Sequence, residues 1–117
     1  MRPILLAALL LLAAGPALAQ RARAELDCKP AELRLTYDCT IRLSRDGKPL
    51  EGAEVSVGAD MPSMAMAHNV KPVKAAPGLG PGEYRARLQL QMTGEWAVKL
   101  RVSGPLRDQI IVKRNFE

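Results

Sequence analysis

The chain has 117 residues, a formal charge of +5, 48% apolar residues and only 3% aromatics. That length is expected to make one domain with a modest core. The 17 basic and 12 acidic residues alternate along the chain instead of clustering, which describes a solvated surface rather than a nucleic-acid-binding tail.

The first element is a leader. "MRPILLAALLLLAAGPALAQ" has Arg2, an apolar run from Ile4 to Ala14, a Gly-Pro break and then Ala17-Leu18-Ala19. This is the layout of a secretory signal peptide, with cleavage expected after Ala19. An uncleaved anchor is the rival reading, but the run is short for a bilayer span and no second run of that length follows. No cysteine marks a lipoprotein cleavage point. A single domain over 20–117 remains, with a charge one lower than the whole chain because Arg2 leaves with the leader. An exported domain is expected in the periplasm, with no nucleic acid as partner and no transmembrane anchor.

Cys28 and Cys39 are the only cysteines. An even pair in an oxidising compartment reads first as a disulfide. A pair of thiolate metal ligands is the competing reading, although ten intervening residues match no compact metal motif.

The remaining segments alternate with the period of strands. In "LRLTYDCTIRL", Leu33, Leu35, Tyr37, Cys39, Ile41 and Leu43 are expected on one face; Arg34, Thr36, Asp38, Thr40 and Arg42 are expected on the other. Asp46-Gly47 is a turn dipeptide. Ala53–Ala59 reads as a strand with Val55 and Val57 inward. Val70–Ala76 contains Pro72 and reads as an edge strand or extended loop. "PGLGPG" breaks the chain. Tyr84, Ala86, Leu88 and Leu90 then share a face, as do Trp96, Val98, Leu100 and Val102 after the turn "MTG". "DQIIVKRNF" closes the chain. Six or seven short strands separated by turns indicate an all-β, immunoglobulin-like antiparallel sandwich.

"DMPSMAMAHNV" stands out. Met61, Met64 and Met66 are followed by His68, the single histidine of the chain. A thioether is a soft, neutral ligand that suits Cu(I) and Ag(I), and imidazole binds copper in either oxidation state. Neither group requires an oxidisable thiolate. On an extended segment residues 64, 66 and 68 project to one side. The plain alternative is that methionines plug the end of a core and the histidine is hydrogen-bonded. Counting strands puts the turn at 92–94 on the same pole as this loop, which makes Met92 an auxiliary candidate. Trp96 reads as a core residue, with a cation–π cover over a cuprous ion as the rarer alternative. No nucleophile has a base beside it and no phosphate loop is present, so an enzyme is not expected.

The run Met61-Pro62, Met64, Met66 and His68, then Gly82 and Tyr84, then Met92, Gly94 and Trp96, resembles the YtkA-like/FixH-like family of small exported β-sandwich domains. The resemblance implies copper handling, with a periplasmic or membrane copper-handling protein as partner. Ala65 stands where many relatives have proline, and the membrane anchor typical of FixH-type members is not expected here. Two functions are therefore expected to compete. One is a Cu(I) carrier or buffer with Met61, Met64, Met66 and His68 as ligands and Met92 as auxiliary. The other is a metal-free module docking on an efflux or oxidase-assembly component. The Met/His cluster separates them, because docking alone has no need of it.

Overall fold

The structure is a computed structural model and describes residues 21–117; the expected leader lies outside them. The strands are β1 (Arg23–Pro30), β2 (Thr36–Arg45), β3 (Lys48–Pro49), β4 (Glu54–Asp60), β5 (Asn69–Lys74), β6 (Ala76–Pro77), β7 (Glu83–Gln89), β8 (Gly94–Ser103) and β9 (Asp108–Phe116). No helix occurs among the described residues. All pairings are antiparallel. One sheet runs β1-β2-β7-β6, with β3 paired to β2, and the other runs β5-β4-β8-β9. That strand order is the immunoglobulin-like arrangement expected from the sequence, with β5 added beside β4.

The alternating residues of β2, β4, β7 and β8 make the core. Ile41, Val57, Leu88, Trp96, Val98 and Leu100 are fully shielded from water. The pattern works because each strand offers one aliphatic face, and two such faces packed together remove both from solvent. The Asp46-Gly47 turn is a two-residue hairpin with positive φ at both residues, 55° and 72°, which suits the twist of the flanking strands.

The strand expected from Leu33 onward begins only at Thr36. Leu35 has a left-handed backbone (φ 58°), and residues 31–36 close a tight turn through Ala31 N–H to Thr36 C=O and Thr36 N–H to Leu33 C=O. Leu33 is consequently exposed, and Thr36, expected outward, is buried. Local turn hydrogen bonds override the apparent alternation here. The turn is held from outside by Arg87, which donates to both Asp38 oxygens and to Glu32. Hydrogen bonds lower the pKa of both carboxyls: for Asp38 the leading one comes from Arg87, whereas for Glu32 a backbone bond leads and Arg87 adds to it. β1 has no counterpart in the sequence reading.

Cys28 and Cys39 face each other across β1 and β2 and form a disulfide. The thiolate-ligand alternative for these two residues is thereby set aside. Unlike the inter-sheet bridge of antibody domains, this one joins neighbouring strands of a single sheet.

The Gly82-x-Tyr84 part of the sequence motif is architectural. A side chain on Gly82 would meet Leu43 O at 2.7 Å, and φ there is +70°. The buried Tyr84 hydroxyl donates to Leu50 C=O (2.8 Å) and accepts from Ala53 N–H (3.0 Å), pinning the 50–53 connection.

Candidate metal centre

The loop 61–68 joins β4 to β5 beyond their last pair, Asp60 and Asn69. Pro62 has no N–H for a ladder, so the loop satisfies its backbone internally. Met64 N–H donates to Met61 C=O (3.0 Å), Ala67 N–H to Met64 C=O (3.0 Å) and His68 N–H to Met64 C=O (2.9 Å). Met61 N–H donates to His68 C=O at 3.2 Å and closes the base. Small residues at 63, 65 and 67 permit this tight path.

The segment 64–68 is therefore one helix-like turn, not the extended run expected from the spacing. The geometry changes which residues share a side. In such a turn positions i and i+4 are neighbours while i+2 faces away. Met64 and His68 fall together at 39% and intermediate exposure, whereas Met66 points outward at 98% exposure. His68 Nδ1 is shielded from solvent and has no hydrogen-bond partner among the described residues.

Met61 occupies a different environment. It belongs to the core at 4% exposure. A Cβ at position 94 would lie 2.9 Å from the Met61 methyl carbon, so the bare backbone of Gly94 (φ +129°) makes room for that side chain.

The turn 90–93 sits at the same pole, as strand counting expects. Gln91 Nε2 donates to Asn69 C=O at 2.8 Å and ties this turn to the base of the methionine loop. Trp96 is wholly buried, in keeping with the core reading, and its Nε1–H donates to Met92 C=O at 3.1 Å. The Met92 side chain is left 37% exposed. The Met92-x-Gly94-x-Trp96 pattern thus has a physical content: Trp96 anchors the turn from below, Gly94 admits Met61, and Met92 remains at the surface. Gln91 carried no sequence signal, because a polar turn residue is ordinary.

Among the described residues, no three His, Cys, Asp or Glu side chains gather where a metal ion could be held. The nearest carboxylate in sequence, Asp60, is paired with Lys99 Nζ at 2.6 Å. What this pole offers a cation is thioether sulfur and one imidazole, a donor set that suits a soft monovalent ion and not a hard one.

An immunoglobulin-like sandwich with a disulfide and a methionine-rich pole defines a small β-domain whose features are compatible with export. The chain belongs to the YtkA-like family, whose model matches residues 29–101, a span that includes both loops of the pole. No curated protein and no solved structure matches it.

Proposed function

We propose that this is a periplasmic Cu(I)-binding protein, a carrier or buffer whose cargo is held by the pole of loop 61–68 and turn 90–93. The observation that carries this reading is the unpartnered Nδ1 of His68. A buried polar atom without a partner costs roughly 1–3 kcal/mol, and a domain keeps one where it has a use. Here it lies one turn from Met64, on a loop whose base is tied by the Gln91–Asn69 bond to the turn that carries Met92, and a soft cation would satisfy it.

Met64, His68 and Met92 are the core of the proposed ligand set. Met66 joins when the loop closes over the ion, and Met61 anchors the loop from the core. All of these donors are neutral, so the single charge of Cu(I) stays uncompensated, which favours handing the ion on over storing it. Ag(I) serves as a mimic.

The test is a Cu(I) titration against a chromophoric competitor, comparing the native protein with Met64→Leu/Met66→Leu/His68→Ala. The triple variant is expected to bind at least about 100-fold more weakly, some 2.7 kcal/mol. Equal affinity in the two proteins contradicts the assigned site. Absence of binding by both favours the metal-free docking module.

A further inference from the structure

The outer face of the β5-β4-β8-β9 sheet carries an open groove of about 320 Å³, next to the methionine pole but not part of it. Its floor follows β4, where Ser56 and Gly58 leave little side chain above the sheet. The pairing register shows what stands on each side. On β8, Arg101 is opposite Ser56 and Lys99 is opposite Gly58. On β5, a bulge lies opposite Gly58 and brings Lys71 and Pro72 to the groove. A Cβ on Gly58 would already touch Pro72 Cγ at 3.5 Å, so the depression exists because residue 58 is glycine.

The charges of this face are unbalanced. Among the described residues Asp60 is the only carboxylate lining the groove, and it is paired with Lys99. Lys71 and Arg101 make no ion pair among the described residues. The outer face of the other sheet is different: Arg87 is bound to Asp38 and Glu32, and Arg85 lies 3.8 Å from Glu83. Both faces carry cations in a depression, but the one on the other sheet sets Asp27, Asp38 and Glu83 among Lys29, Arg42, Arg85 and Arg87, whereas this groove sets Asp60 alone against Lys71, Lys99 and Arg101.

We propose that this groove binds an acidic, extended segment of a partner protein, laid along β4 between Lys71 and the Lys99–Arg101 wall. From Ser56 to Asp60 the floor is about 13 Å long, enough for about four extended residues. Carboxylates of such a segment meet Lys71 on one side and Arg101 on the other, and Gly58 lets its backbone come close. The groove ends at Asp60 and Asn69, which frame loop 61–68, so a partner seated there is held beside the methionine pole. The proposal does not depend on copper, and its test contains none.

The probe is acetylated hexaglutamate, followed through backbone amide shifts of the ¹⁵N-labelled protein at low and physiological salt. Shifts are expected to cluster at residues 56–60, 70–72, 99–101 and 109 and to weaken as salt rises. Lys71→Gln/Arg101→Gln should weaken binding about fivefold or more, while Arg42→Gln/Arg85→Gln on the opposite face should change it less than twofold. Gly58→Leu, which fills the floor without changing charge, should abolish the clustered shifts. Equal loss in both double variants, shifts spread over both faces, or no shifts at all would overturn the proposal. Binding to phosphatidylglycerol vesicles without any response to hexaglutamate would also overturn it, in favour of a membrane surface.

Discussion

Replacing Trp96 by Ala is expected to cost about 3–5 kcal/mol of stability, the range for deleting a large buried aromatic side chain. Trp96 has no solvent exposure, lies on central strand β8 and heads the largest of the fully buried side chains. Its removal opens a cavity between the sheets that the surrounding branched residues cannot fill without leaving their rotamers. For a domain of this size the loss corresponds to a fall in Tm of roughly 15–30 °C. Urea unfolding measures it as a lower midpoint with an unchanged slope. Trp96→Phe separates packing from hydrogen bonding. It keeps a large apolar ring, leaves a much smaller cavity than Ala, and removes the bond from Nε1–H to Met92 C=O. That variant should retain most of the stability while the amides of Met92 and Thr93 exchange faster with solvent. A loss below about 1 kcal/mol in Trp96→Ala would contradict the view that this residue holds the core and the turn together.

The second large effect concerns the disulfide. Cys28→Ala/Cys39→Ala is expected to lower stability by about 3 kcal/mol, the chain-entropy value for a loop of this length. The cross-link spans a sequence separation of 11 and fixes the left-handed turn at Leu35 between its two ends. β1 is an edge strand whose in-sheet neighbour is β2 alone, so the bond also keeps that edge in register. Cys39 is almost wholly buried, and deleting its sulfur adds a small cavity. Reduction of the native protein by a thiol should reproduce most of the loss. Unchanged stability on reduction would show that the β1–β2 ladder holds without the cross-link.

Much of the sandwich is readable from alternation alone. From Tyr37 to Leu43, from Tyr84 to Leu90 and from Trp96 to Val102 every second position is apolar, and the structure buries those faces as read. β1 escaped notice because its inward residues are Ala24, Leu26 and Cys28, set among charged residues of low strand propensity. The run at Leu33 misled in the opposite direction: its period was right, but a turn closed by two local backbone hydrogen bonds intervenes before Thr36. The chemistry of the methionine pole was visible in residue types, since soft donors are scarce elsewhere in the chain. Its geometry was not, because a spacing of two means one side of a strand but opposite sides of a helical turn. Only backbone bonds such as His68 N–H to Met64 C=O decide between them. The pairing of this loop with the turn at Met92 was reachable by counting strands, whereas the Gln91 to Asn69 bond that secures it was not.

These features give the pole a division of labour. Gly94 and Trp96 fix Met61 and the backbone of Met92, and the side chains of Met64, His68 and Met92 remain partly exposed above them. Met66, at the tip, is almost fully exposed. Under the proposed copper function, a packed base with one exposed thioether suits an ion that must enter and leave.

The most direct measurement follows the methionine methyl groups. In protein labelled with ¹³C at methionine Cε, one equivalent of Cu(I) under anaerobic conditions should shift the methyl signals of Met64, Met66 and Met92 and the ring signals of His68 together. Met61, packed on Gly94, should move least. Saturating Cu(I) that leaves Met64, Met92 and His68 unmoved, or that perturbs Met66 alone, would contradict a copper site at this pole.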